Sequence, residues 1–397
     1  MTLRGLDRAI GSSVLLSWLI RAVLFLPIAC VSKAHEPKSV HQPEVRMNAL
    51  TDEFRAIQKE AQMPGLQISV VEGTRRVFSY VEGLRAVGHS EGVTAEDEWH
   101  LGSCTKPMTA FLIGRLIDQK KVAWTTTLDE LVPKSQRLHP DLRGVTIEQL
   151  LSHRAGLVEV TEPDQGRLFP TLFTDQAQPV QLRDKLVRAL LQMPPHFKAG
   201  EKSEYSNSGY VVLGWLIDRL AGKPWERTIQ DELFATLEMR SCGFGAAGAE
   251  DPRNPRQPWS HDFKDGKLVA IAPSPMADNP PALGPAGSVH CSVPDWHKFL
   301  RVIVSRDEGL RLVSPATYDK LLSVAGEGPG TYASMGRKER SWAKGPVFMM
   351  AGSNTMNYAL MLVAPKLGRI YTVNTNAGDD KTEAAATRIL KRLTELE

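Results

Sequence analysis

Apolar residues recur at helical spacing at Leu50, Phe54, Ile57 and Ala61, and the period then changes. Residues 66–71 and 77–81 read as strands about Glu72-Gly73-Thr74, so the pattern predicts a helix followed by a β-hairpin. Toward the other end, residues 347–350, 358–363 and 369–374 predict three more strands, the last two joined through Pro365-Lys366-Leu367-Gly368. A final helix is expected after them. Asp380 stands three residues before Glu383 in a capping-box arrangement, and Ile389, Leu390, Leu393 and Leu396 form its apolar stripe. Between about 110 and 295, helical patterns such as 182–191 and 211–220 alternate with loops rich in Pro and Gly. The expected class is α+β: an antiparallel sheet flanked by N- and C-terminal helices, interrupted by a mostly helical subdomain. Residues 44–109 and 296–397 are assigned to the sheet domain and 110–295 to the insertion, with a cleft at their border.

A chain of 397 residues with 42% hydrophobic and 23% charged content can bury a large core. Forty-eight basic against 45 acidic residues leave a net charge of +3, with no long basic block to follow a phosphate backbone, so nucleic acid is not expected as a partner. At the N-terminus, Arg4, Arg8 and Arg21 precede the apolar run 22–28, and Ser32-Lys33-Ala34 offers small residues for a signal peptidase. Residues 1–34 are therefore read as a signal peptide or N-terminal anchor, and the protein as exported: periplasmic or secreted, with a possible membrane tether. Arg21 would be costly inside a bilayer, which favours cleavage over anchoring. Cys30, after Pro27-Ile28-Ala29, carries only a weak lipoprotein signal. The other cysteines, Cys104, Cys242 and Cys291, are odd in number, scattered and without metal-ligand spacing. They are expected to be small buried hydrophobes, with no disulfide framework.

The candidate chemistry begins at Ser103-Cys104-Thr105-Lys106. A serine hydroxyl is a poor nucleophile at neutral pH and needs a base within hydrogen-bond reach. Positions i and i+3 share a helix face, which lets the Lys106 amine approach Ser103, and burial would lower the amine pKa. Pro107 suits a first helical turn, while Met108, Phe111, Leu112, Leu116 and Ile117 supply a buried face. The same spacing recurs at Ser341-Trp342-Ala343-Lys344, but it runs into Gly345-Pro346 and is assigned no role. A second element is Tyr205-Ser206-Asn207, between the loop 200–204 and a helix expected from about Gly209. The Tyr205 phenol can shuttle a proton between Ser103 and a leaving group. The Asn207 amide can bind a substrate carbonyl while orienting Lys106.

With these motifs in this order, the chain from Leu50 onward resembles the serine β-lactamase and penicillin-binding protein superfamily, in its branch of class C β-lactamases, DD-peptidases and esterases. Met63-Pro64-Gly65-Leu66, Leu150-Leu151-Ser152-His153-Arg154-Ala155-Gly156-Leu157 and Gly284-Pro285-Ala286-Gly287 support the resemblance. It implies an acyl-enzyme on Ser103, no metal or organic cofactor, a small-molecule or peptidoglycan-like substrate, and a structural role for His153. It also implies an oxyanion hole from the amides of Ser103 and Ser353, with Gly352 letting substrate approach closely. One departure stands out. Where the family has Lys or His, then a small residue, then Gly, this chain has Met350-Ala351-Gly352. Met350 can neither hold a substrate carboxylate nor depress a tyrosine pKa. Lys344 is about 20 Å away along an extended strand, too far to substitute. Tyr205 is then expected to stay protonated to higher pH, leaving Lys106 as the base, with activity rising toward alkaline pH and uncharged esters or amides preferred.

An α/β-hydrolase is disfavoured because no Gly-x-Ser-x-Gly occurs, and a zinc hydrolase because the ten histidines form no His-Glu-x-x-His. The competing readings are a catalytically weakened binding protein for peptidoglycan-like ligands and an acyltransferase that uses the same acyl-enzyme.

Overall fold

The hairpin predicted near the N-terminus forms one edge of a six-stranded antiparallel sheet whose strands lie side by side in the order 75–83, 65–72, 369–375, 358–364, 345–353 and 336–340. The computed structural model describes residues 42–161, 171–174, 177–249 and 251–395, so the leader reading for 1–34, Cys30 and Leu396 lie outside the described residues. Helix α1 (Gln42–Glu60) leads into β1 (Gly65–Glu72) and β2 (Arg75–Gly83), and β3 (Glu98–His100) follows. The stretch that follows β3 contributes α2 (Thr105–Asp118), α3 (Pro179–Leu190) and α4 (Asn207–Ala221) with several shorter helices. It also contains β4 (Gly243–Phe244), the hairpin β5 (Ser260–Lys264) and β6 (Lys267–Ile271), and β7 (Val289–Ser292). Helix α5 (Val293–Val304) returns the chain to the sheet, completed by β8 (Gly336–Arg340), β9 (Gly345–Ser353), β10 (Tyr358–Ala364) and β11 (Arg369–Thr375), and α6 (Asp380–Thr394) closes it.

The sheet separates two apolar clusters because its central strands alternate apolar residues toward both faces. Leu66, Ile68, Val70, Leu360, Leu362 and Val373 pack on one face against Phe54 and Ile57 of α1 and Ile389 and Leu393 of α6. Ala359, Met361, Val363 and Ile370 face the other way, toward Phe299 of α5 and Phe111 of α2. Every residue of β10 is buried as a result. Strand β8 (GRKER) is polar and sits on the sheet edge, where charged side chains discourage pairing with another chain.

Three expectations need correction. Cys242 and Cys291 form a disulfide across 49 residues, so they are not separate buried thiols. The bridge joins the segment before β4 to β7, strands that pair with each other, and among the described residues Cys104 remains as a buried free thiol. Asp379, rather than Asp380, caps α6 by accepting from the Thr382 amide. Helix α4 starts at Asn207 instead of Gly209, because the Ser206 hydroxyl accepts from the Gly209 amide and serves as its cap.

Helices α3 and α4 are locked together by a buried charge cluster. The Arg183 guanidinium donates to Asp218 at 2.8 and 3.0 Å and to Glu226 at 3.0 Å through two nitrogens, with its own side chain fully buried. Bidentate pairing on two carboxylates offsets the desolvation of such an ion, and removing one partner would strand a buried charge. Because α4 carries Asn207 at its first turn, this lock also fixes part of the site.

Candidate active site

Ser103 lies in a 3-10 turn (Gly102–Cys104) that runs directly into α2. The turn is pressed onto β9. A Cβ on Gly352 would stand 2.0 Å from the Leu101 carbonyl oxygen and 2.7 Å from the Ser103 nitrogen, and one on Gly102 (φ +48°) would stand 2.4 Å from the Ser353 nitrogen. Glycine at both positions is a steric requirement of the fold. Gly352 thus admits the protein's own nucleophile turn, a packing demand additional to the room for substrate that the resemblance implies. The same contact puts the Ser103 and Ser353 nitrogens on touching backbone segments. Gly352→Ala is expected to cost about 3 kcal/mol of stability from overpacking and to lower turnover, measurable by thermal unfolding beside ester kinetics.

The turn is held from behind by a buried pair. The Gly102 amide donates to His100 Nδ1 at 3.1 Å, which leaves the ring proton on Nε2 to be donated to the Asp278 carboxylate. Both side chains are nearly inaccessible. On the far side, the Thr109 hydroxyl donates to the Pro285 carbonyl at 2.8 Å and fixes α2 against residues 284–287.

Lys106 is fully buried, and its Nζ has three partners: Ser103 Oγ at 3.0 Å, Asn207 Oδ1 at 2.7 Å and the Ala286 carbonyl at 2.7 Å. Burial lowers its pKa to about 7, and the Glu159 carboxylate resists that fall. The partner set matters because two of the three are carbonyl oxygens that can only accept. A neutral amine has two N–H donors and one lone pair, so the two carbonyls take both donors and the lone pair is left for the Ser103 hydroxyl. The Tyr205 hydroxyl donates to the same Ser103 Oγ at 2.5 Å. Burial first, then the neighbouring Glu159, raises the Tyr205 pKa, while its bond to Ser103 pulls the other way. The phenol is therefore protonated at neutral pH, and 37% of the residue is exposed.

Tyr205 rests on His153, whose ring lies 4.8 Å from the tyrosine ring. His153 Nδ1 accepts the Ser206 amide at 3.1 Å and Nε2 meets Ser334 Oγ at 2.7 Å, so both nitrogens are occupied away from Ser103. Burial, then the positive charge of Lys106, lowers its pKa to about 3 and keeps the imidazole neutral. It supports the tyrosine and has no route to the serine proton.

Glu159 was not singled out from sequence. Its carboxylate accepts the Asn207 amide at 2.7 Å, the Asn207 side-chain NH₂ at 3.2 Å and the Ser208 amide at 3.3 Å. An anion on the first turn of α4 is well placed for the helix dipole, and it turns the Asn207 oxygen toward Lys106. Its only sequence signal is an acidic residue inside Leu157-Val158-Glu159-Val160. The Ala286 carbonyl, a backbone group, carried no signal.

Met350 is 7% exposed and belongs to the same apolar cluster as Met361, its partner across β9 and β10, and Met335. The place expected for a cation is thus part of an apolar wall. Lys344 sits in the turn just before β9, at the opposite end of the strand from Ser353. Among the described residues no group of three or more His, Cys, Asp or Glu side chains could hold a metal ion.

A family model described as beta-lactamase matches residues 50–394. The chain is 24% identical over 339 residues to penicillin-binding protein 4 of Amycolatopsis lactamdurans, covering 82% of this chain and 84% of that one. It is 26% identical over 269 residues to the unguisins hydrolase ungD' of Aspergillus campestris, 66% of this chain but only 47% of the fungal protein's length. Among solved structures, the octameric penicillin-binding protein homologue from Pyrococcus abyssi superimposes with a TM-score of 0.71 at 23% identity, over 87% of this chain and 77% of that one. Fold and sequence match agree, and the chain belongs to the beta-lactamase family, whose wider superfamily consists mostly of serine hydrolases.

Proposed function

We propose that this protein is an exported serine hydrolase that cleaves ester or amide bonds through an acyl-enzyme on Ser103, and that it prefers substrates without a carboxylate beside the scissile bond. The carrying observation is the Lys106 amine, bonded to Ser103 Oγ at 3.0 Å with both of its donors directed at carbonyl oxygens. Lys106 takes the serine proton as Oγ attacks the substrate carbonyl carbon. The amides of Ser103 and Ser353 hold the oxyanion while the tetrahedral species forms. As it collapses, the bond to the leaving group breaks and the Tyr205 hydroxyl protonates the departing atom. The proton held by Lys106 then restores the phenol. Water enters by the reverse of these steps and frees the acid. Asn207 keeps Lys106 aimed and offers its amide to a substrate carbonyl.

Substrate preference follows from Met350, which places a thioether in an apolar wall where a cation would clamp a carboxylate. Relatives named as an esterase and as a D-alanyl-D-alanine carboxypeptidase/endopeptidase support a reaction at ester or amide bonds. Export, to the periplasm or beyond, is supported by the Cys242–Cys291 disulfide, since such bridges persist in oxidising compartments. Among the described residues no helix is long and apolar enough to cross a membrane.

The test is a panel of a p-nitrophenyl ester, a cephalosporin and a D-Ala-D-Ala peptide, assayed on wild type, Ser103→Ala and Met350→Lys. The ester is expected to give the highest kcat/KM, and Met350→Lys to shift the ratio toward the carboxylated substrates by about tenfold, the scale of one charge-assisted contact. A ratio unchanged by Met350→Lys in folded protein would remove the specificity argument.

A further inference from the structure

A cavity of about 160 Å³ lies between the β1–β2 hairpin and α5. Ser69 and Ser79, register partners across the hairpin, line it with Thr74 and Arg76, while α5 contributes His297 and Arg301. No carboxylate lines it. Glu72, on the same hairpin, is engaged by Arg75 and Arg369. The cavity has a built interior: Ser69 is 6% exposed and His297 4%. His297 Nε2 meets the Thr372 hydroxyl at 3.1 Å, which fixes the ring. After burial, the nearness of Arg301 and Arg76 contributes to lowering the His297 pKa to about 3, so both guanidinium groups act on this one spot. Two cations, two facing serines and a threonine around a cavity without carboxylates supply donors and positive charge with nothing inside to neutralise them.

We propose that this cavity binds a small oxyanion, a phosphate or carboxylate group, through Arg76 and Arg301, at a site separate from the serine centre. From β1 to β9 the sheet steps across three strand spacings, about 14 Å, so an occupant here does not touch Ser103. The opening turn of α5, at Val293 and Pro294, also lines the cavity.

The test is isothermal titration of the full chain with inorganic phosphate and, separately, acetate, at fixed ionic strength, using wild type, Arg76→Gln, Arg301→Gln, the double variant and Ser103→Ala. Saturable heat is expected from one or both anions, and the responsive arm identifies the group bound. Each single substitution should weaken binding at least fivefold, the double variant should give no saturable heat, and Ser103→Ala should bind as wild type does. Arg76 is exposed on the hairpin, so its substitution leaves a foldable protein even if Arg301→Gln does not. No saturable heat from wild type, equal heat from the Arg76 variant, or heat lost in Ser103→Ala would each overturn the proposal.

Discussion

Ser103→Ala is expected to lower ester turnover by at least about 10⁴-fold while leaving the thermal unfolding midpoint within a few degrees of wild type. Groups that act as one catalytic unit lose nearly all of their effect when the nucleophile is removed, and what survives comes from oxyanion donors and binding. The fold should tolerate the change. The side chain is small, and its loss leaves the Lys106 amine with two carbonyl partners at 2.7 Å. A Ser103→Ala protein that keeps more than a tenth of wild-type turnover would move the chemistry away from this serine. Turnover lost together with a collapsed unfolding midpoint would mean that the serine is structural.

A second large effect lies in pH. The Lys106 pKa is lowered to about 7, chiefly by burial, and only the neutral amine can accept the serine proton. The active fraction therefore grows as pH rises: about a tenth at pH 6, half at pH 7 and nine-tenths at pH 8. The kcat/KM for a neutral ester should rise with unit slope below pH 7 and level off above pH 8, and the raised Tyr205 pKa leaves no descending limb in that range. Lys106→Met should lower the plateau by about 10³-fold or more, within the range of lost general-base catalysis. Glu159→Gln supplies the sign check. Its carboxylate raises the Lys106 pKa, so its removal should move the ascending limb to lower pH. A limb that stays in place, or moves up, would show that another group sets the profile.

The sequence was most legible where one physical signal dominates. Strands β10 and β11 were readable from apolar content because both of their faces are covered, and the serine-lysine pair because an i, i+3 spacing survives any detail of the turn. Strand β8 was missed because its residues, GRKER, are chosen for a wet edge rather than for burial. The disulfide was missed because its cysteines are 49 residues apart and meet only through the pairing of β4 and β7, which no local pattern announces. Glu159 and the Ala286 carbonyl were missed for a related reason: both act on Lys106 across the fold, one through Asn207 and the other from backbone. The outcome is a site whose nucleophile and base are local in sequence and whose tuning is tertiary.

Gly352 carries a packing demand that sequence alone does not announce. A Cβ there would run into the Leu101 carbonyl and the Ser103 and Cys104 nitrogens, so glycine is needed for packing whatever room it also leaves for substrate. The contact that forbids a side chain also sets the Ser103 and Ser353 nitrogens on adjoining backbone.

The most direct test of an activated Ser103 is the intact mass of the purified protein after exposure to a serine-directed phosphonate and, separately, to a penicillin. The expected result is a single covalent adduct from the phosphonate, mapped to the peptide containing Ser103, formed faster at pH 8 than at pH 6 and absent from Ser103→Ala. Folded wild-type protein that gains no mass from either reagent at either pH would contradict it.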